Sequence, residues 1–418
     1  MEDEESNSRE EMIGGSSGEE GMCRFFVVGD IGQEGRGREA VGEAMAGLQA
    51  SWKAAGEAGV GFVVSTGDNV YGRADESAFC RLREDLLDRV PVPWLVALGN
   101  HDVSEAKLRW HLSRHGLTGG PEGGGGGRWR WVCPAPAYDA SEELAIAYDC
   151  DQRGKDGEEE RLSERKIEGL GLVQLLVINT NMLIGPMRRS SMGPAPGFYV
   201  SRSAKWWTEQ KHTLRDRLAE TPPGVWRLVV GHHPCEFVPV SWLEHRTPLV
   251  RFYAATFMKG GVKCRRSRSG LAHVIGRQAD LYLCGHQHLQ AGLRLDPGSG
   301  AVPADECRCA YTIVGASSHL DAPSAPVPPS PTSLYSDAQP PSQRYSSSYV
   351  APSLNGFVVV EVISASITIR HFVVTPSGSV ELHRQYITKK DSTLAFSSSD
   401  VSCSSSSNFG QSSSSIDQ

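Results

Sequence analysis

Cys23-Arg24-Phe25-Phe26-Val27-Val28-Gly29-Asp30 is a short apolar run that stops at a glycine and passes directly to a carboxylate. Outward from it the same pattern returns four times: Phe62-Val63-Val64-Ser65-Thr66-Gly67-Asp68, Trp94-Leu95-Val96-Ala97-Leu98-Gly99-Asn100-His101, Arg227-Leu228-Val229-Val230-Gly231-His232 and Leu281-Tyr282-Leu283-Cys284-Gly285-His286-Gln287-His288. Runs of this length, apolar at consecutive positions, predict strands buried on both faces. Residues 172–179 read as a further strand, and helical spacing fills 38–57, 77–88 and 203–219. Strand-helix alternation predicts an α/β protein whose sheets are covered by helices. Closely spaced strands at 356–363, 366–374 and 380–387 predict an antiparallel meander.

In an open α/β sheet ligands gather at the carboxyl ends of the strands, so five such runs deliver their terminal side chains to one rim. Glycine at each end allows a sharp turn without a Cβ clash. The rim collects Asp30, Asp68, Asn100, His232, His286 and His288, and Tyr71 adds a seventh donor. Oxygen and nitrogen donors in this number exceed one tetrahedral zinc. They suit two hard or borderline ions about 3.5–4 Å apart sharing a carboxylate. Two adjacent cations acidify a bound water and neutralise phosphoryl oxygens, which points to phosphate-ester hydrolysis.

With these residues quoted, the chain resembles the metallophosphoesterases, and among them the low-molecular-weight, tartrate-resistant purple acid phosphatases. The resemblance rests on Gly29-Asp30-Ile31-Gly32, Gly67-Asp68-Asn69-Val70-Tyr71, Gly99-Asn100-His101-Asp102, Gly231-His232-His233-Pro234 and Gly285-His286-Gln287-His288. It implies a four-layer α/β/β/α sandwich of two mixed sheets. It also implies a ferric site of Asp30, Asp68, Tyr71 and His288, and a divalent site (Fe, Zn or Mn) of Asp68, Asn100, His232 and His286, with Asp68 bridging. Gly32, where relatives usually place a histidine, and Tyr71 separate the purple subfamily from those relatives, and a phenolate suits Fe(III). The implied activity is acid phosphatase chemistry on phosphate monoesters through a metal-bound hydroxide, the substrate being a small phosphate ester or a phosphoprotein. His101, oriented by Asp102, and His245 are implied to contact substrate, although the stretch from His232 to His245 is about three residues longer than in the mammalian enzymes. Rival readings are a Mn/Zn-dependent phosphodiesterase or nucleotide phosphohydrolase on the same scaffold, and a binding module descended from such an enzyme.

Composition narrows the partners. Lys plus Arg is 42 against 49 Asp plus Glu, a net charge of −7 that argues against a duplex nucleic-acid binder. No apolar run approaches membrane-spanning length, and the acidic opening Met1-Glu2-Asp3-Glu4-Glu5 shows no secretory signal, so the default expectation is the cytoplasm, whereas the resemblance implies secretion or a lysosome. The ten cysteines form no C-x-x-C pair and read as mostly reduced. Residues 391–418 hold 13 Ser in 28 positions and 322–348 hold 15 Pro plus Ser in 27, too little apolar surface to offset ordering entropy. The expected organisation is an acidic tail 1–22, one catalytic domain 23–388 interrupted by a Pro/Ser-rich insertion 322–349, and a Ser-rich tail 389–418, acting as a monomer.

Other features take plainer readings. Gly29, Gly32, Gly35 and Gly37 do not have G-x-G-x-x-G spacing, so turn glycines are expected rather than a dinucleotide loop. His111 and His115 at helical spacing lack the Glu of H-E-x-x-H and read as surface residues. His233 packs or reaches solvent; Cys307 and Cys309 are half a metal site; the five basic residues of 259–268 read as a solvated loop.

Overall fold

Alternate residues of each central strand leave in opposite directions, and this sorts the apolar side chains into three cores. The computed structural model describes residues 21–119, 129–144, 169–181, 197–234, 271–295, 309–315, 317, 345–352, 354–375 and 378–388. The first sheet is built from β1 (Cys23–Val28), β2 (Phe62–Ser65), β3 (Pro93–Val96), β4 (Thr118–Gly119), β5 (Trp129–Val132), and a later group given below. The second contains β6 (Tyr138–Asp139), β7 (Val173–Val177), β8 (Trp226–Val230), β9 (Leu281–Cys284), β10 (Leu289–Leu295), β11 (Ala310–Val314) and β12 (Tyr345–Pro352). The chain then returns to the first sheet as β13 (Gly356–Val362), β14 (Ser366–Thr375) and β15 (Gly378–Thr388), the expected antiparallel meander.

The eight-stranded sheet runs β15-β14-β13-β1-β2-β3-β5-β4, and the seven-stranded sheet β12-β10-β11-β9-β8-β7-β6. Parallel pairing joins β1, β2 and β3 in the first sheet, and β7, β8, β9 and β11 in the second. Phe25, Val27, Phe62 and Val64 meet Trp226, Leu228, Val230 and Leu283 between the sheets. The opposite faces of β1 to β3 (Phe26, Val28, Val63, Trp94) receive Val41, Met45 and Trp52 from α1 (Arg36–Ala54), Phe79 and Leu82 from α2 (Glu76–Leu82) and Trp110 from α3 (Glu105–Ser113). On the other outer face, Leu214 and Leu218 of α4 (Gly197–Glu220) and Ile275 of α5 (Leu271–Gln278) cover Leu176, Val229 and Tyr282. The layers are therefore α/β/β/α, as the resemblance implied.

One stretch departs from the sequence reading. Residues 345–349, expected to close the Pro/Ser insertion, belong to β12, which pairs antiparallel with β10. Tyr345 and Tyr349 flank the serines, and ladder pairing outweighs a composition that reads as linker. Residues 1–20 and 389–418, most of the two expected tails, lie outside the described residues. Among the described residues no helix is long and apolar enough to cross a membrane.

Candidate metal centre

Three of the rim donors sit on strained backbone. Asp30, Asp68 and His286 have φ of 55°, 54° and 72°, each directly after a strand-end glycine. The left-handed region costs a non-glycine residue about 1–2 kcal/mol. Sequence reading assigned the turn to the glycines; the structure gives much of it to the donors that follow. The glycines instead permit close approach: a Cβ on Gly99 would collide with Asp68 Oδ1, and one on Gly285 would lie 2.7 Å from Asp30 Oδ2. The bent donors are pinned by amides. Asp30 N–H donates to Gly67 O at 2.9 Å, His286 N–H to Asp30 Oδ2 at 2.9 Å and His101 N–H to Asp68 Oδ1 at 2.8 Å.

The rim side chains fall into two neighbouring clusters. In the first, Tyr71 Oη lies 3.0 Å from Asp30 Oδ1 and 3.1 Å from His288 Nε2, and those two atoms are 3.4 Å apart. In the second, His232 Nε2 lies 3.0 Å from Asn100 Oδ1, 3.2 Å from His286 Nδ1 and 3.4 Å from Asp68 Oδ2. Donor atoms of Asp30, Asp68 and His232 lie within 4.8 Å of one another, so the two clusters adjoin at these three residues. Asp68 Oδ1 is held by the His101 amide, which leaves Oδ2 facing His232.

Buried charges of opposite sign set the electrostatics. Burial alone would raise Asp68, but the His232 cation beside it holds its carboxyl well below the usual carboxylate range. Burial opposes the charge on His232, yet Asp68 raises that imidazole to about 9. Desolvation, then the neighbouring cationic His232, pushes the half-buried His286 down to about 3. Burial, then the Asp30 and Asp68 carboxylates, push the Tyr71 phenol far above its ordinary range, so its ionisation calls for a cation close by.

The neighbouring residues decide which nitrogens are available. His232 Nδ1 lies 3.0 Å from Thr66 O, which can only accept, so Nδ1 carries the proton and Nε2 faces the cluster. Nitrogens of His232, His233 and His286 also lie within 4.8 Å of one another. His233 nevertheless makes a poor ligand. Thr180 Oγ1 already accepts the His232 and His233 amides, so its hydroxyl donates to His233 Nδ1 at 2.9 Å and the ring proton goes to Nε2. His233 is buried, so of the two sequence readings, packing or reaching solvent, it packs.

Two sequence expectations need correction. Asp102 was expected to orient the His101 ring, but among the described residues that ring is not one of its hydrogen-bond donors. The Asp102 carboxylate, fully buried, instead accepts Asn69 N–H at 3.0 Å, Asn69 Nδ2 at 2.9 Å, Val70 N–H at 3.2 Å, Gly99 N–H at 2.9 Å and the His111 Nε2 contact at 3.1 Å. His111, expected at the surface, is fully buried and stacks on Trp131 with centroids 5.9 Å apart. The helix turns it inward between Trp110 and Trp131, where it meets the Asp102 carboxylate. The His101 ring is 46% exposed, with Nε2 4.0 Å from Asp68 Oδ2 and its ring centre 4.5 Å from that of Tyr71. His245 lies outside the described residues. Sequence reasoning also missed Lys107, whose Nζ donates to the carbonyls of Val70 at 2.6 Å and Tyr71 at 3.1 Å, and Thr180; neither follows a strand-end glycine.

Comparison with known proteins identifies the family of the chain. Residues 23–290 match the family described as calcineurin-like phosphoesterase, and the chain belongs to that metallophosphoesterase family, whose centres hold two metal ions. No curated protein sequence matches the chain. Among solved structures it is similar to GAP50, the anchor in the inner membrane complex of Plasmodium, at 17% identity and a TM-score of 0.50, covering 88% of this chain and 89% of that one. It is also similar to the purple acid phosphatase PPD1 from yellow lupin (Lupinus luteus) seeds at 13% identity and a TM-score of 0.47, where 88% of this chain spans 54% of the lupin chain. PhoD follows at 12% identity and a TM-score of 0.44, covering 88% of this chain and 69% of that one.

Proposed function

We propose that this chain is a metal-dependent phosphatase of the purple acid type, cleaving phosphate monoesters of small molecules or phosphoproteins at a ferric and a divalent ion. The observation that carries this reading is the placement of Tyr71 Oη 3.0 Å from Asp30 and 3.1 Å from His288, a phenol brought against two other hard donors. The donor set fits the pair of ions: oxygen and nitrogen only, a carboxylate where the clusters adjoin, and His232 fixed with Nε2 turned inward. Asp30, Asp68, Tyr71 and His288 would hold Fe(III), and Asp68, Asn100, His232 and His286 the Fe, Zn or Mn ion. Bound there, the ions supply Lewis-acid charge for the phosphoryl oxygens and acidify the attacking water.

The protein's own groups do the rest. The amides of His286 and His101 fix the orientation of Asp30 and Asp68, so both carboxylates are set before an ion arrives. His101 stands at the solvent side of Asp68 and Tyr71, where its ring can bind a phosphoryl oxygen or protonate the departing one. Such a proton transfer contributes about 10²–10⁴-fold in rate. His245 would share this task on the strength of the resemblance.

Elemental analysis, a visible spectrum and nitrophenyl phosphate turnover on the purified chain test the proposal together. The expected result is two ions per chain including iron, a visible phenolate-to-iron band lost in Tyr71→Phe, and turnover absent from an Asp68→Ala control. A colourless, iron-free but active protein would indicate the Mn/Zn phosphodiesterase reading. Turnover no greater than the control would indicate a binding module.

A further inference from the structure

The proposed shared site needs Asp68, on the loop after β2, and Asn100, on the loop after β3, at a fixed spacing. The His101 amide on Asp68 Oδ1 ties the loops at the rim, and one buried carboxylate ties them again beneath it. Asp102 takes N–H groups from Asn69 and Val70, which lie between Asp68 and Tyr71, and from Gly99, which precedes Asn100. The side chain of Asn69 adds Nδ2 contacts of 2.9 Å to Asp102 and 2.8 Å to Ala97 O, tying the same loop to the end of β3. A carboxylate with no solvent exposure requires a counter-group, and His111 is the side chain that closes the set at 3.1 Å. His111 is itself held between Trp110, at 4.8 Å and perpendicular, and Trp131, at 5.9 Å and parallel. Its position is thus set by the packing of α3 against the sheet and not by the rim.

We propose that His111 is a positioning residue: through Asp102 it fixes the distance between the loop carrying Asp68 and the loop carrying Asn100, and so sets affinity for the divalent ion. The inference rests on the dinuclear reading for its metal consequence and on the structure alone for its consequence in the metal-free chain. Asp30 follows β1 and His288 precedes β10, on neither of these two loops, so two of the four proposed ferric donors are expected to stay in place.

The test compares His111→Gln with His111→Asn in the full chain. A glutamine amide reaches the place of the imidazole Nε2, whereas an asparagine amide stops at the place of Nδ1. In the metal-free chain, amide hydrogen exchange at Asn69, Val70 and Gly99 is expected to stay slow in His111→Gln and to accelerate selectively in His111→Asn. Titration with Zn²⁺ after iron loading is expected to show about a 10–100-fold weaker second site in His111→Asn, largely restored in His111→Gln. Equal exchange and equal Zn²⁺ affinity in the two variants would overturn the proposal, even if both lose stability. Failure of the wild-type chain to take up two ions would sink the proposed function instead, and the exchange comparison would still decide the role of His111.

Discussion

Within the eight-stranded sheet, β1 and β2 run parallel and end on a glycine followed by an aspartate at φ near 55°, whereas β13, β14 and β15 run antiparallel and close on Gly378 at φ 120°. Both halves need backbone outside the ordinary regions. The meander puts it on a glycine with open space around it, where it costs little. The rim puts it on Asp30 and Asp68, side chains that carry charge and are buried. Strain is therefore placed where donors must converge and avoided where the chain only has to turn.

The sharpest way to break this contrast is at its most constrained atom. Asp68→Ala removes the carboxylate proposed to serve both ions, and the expected outcome is loss of both ions and of turnover, read by elemental analysis and nitrophenyl phosphate assay. A variant that kept two ions would show that the clusters are held independently of Asp68. The next effect is smaller and uses glycines from the two halves. In Gly99→Ala the new methyl meets the Asp68 carboxylate and backbone, so about 1–3 kcal/mol of stability and most metal binding should go together. In Gly378→Ala the methyl meets nothing among the described residues and the positive φ is penalised, so melting should report about 1 kcal/mol with metal content unchanged. Equal metal loss in both would erase the distinction between the halves.

How much of this could be read beforehand follows from which contacts are local. Each rim donor lies one to four residues past a strand-end glycine, so Asp30, Asp68, Tyr71, Asn100, His232, His286 and His288 were legible from sequence and are brought together by the fold. The strand-helix alternation and the final meander were legible for the same reason. His111 was not, because an i, i+4 histidine pair on a helix does not reveal which face turns inward; that depends on Asp102 and on Trp131 across the interface. Asp102 was seen but given the wrong partner, since it neighbours His101 in sequence and His111 only in space. β12 was hidden by composition: a serine-rich strand is specified by its pairing with β10 and not by its own pattern.

The finest form of the comparison uses one residue type in two settings. His232, at the rim, faces Asp68 and holds its proton to about 9. His371, on β14 and equally buried, has burial and the neighbouring His383 acting against the charge and is pushed down to about 3. The linkage signs are opposite. A raised value stabilises the fold below the unfolded value of 6.5 and loses that contribution as pH rises toward 9. A lowered value means the unfolded chain binds the proton first, so stability falls as pH drops below 6.5. Thermal melts of the metal-free chain over about pH 4 to 9 should therefore decline on both sides of a maximum near neutrality. His371→Leu should flatten only the acid limb, by up to about 1.4 kcal/mol per pH unit, and leave the alkaline limb intact. An acid limb as steep in His371→Leu as in the wild-type chain would mean that the meander pays no such penalty and that the acid sensitivity belongs to the rim, where His233 and His286 are also held neutral by burial.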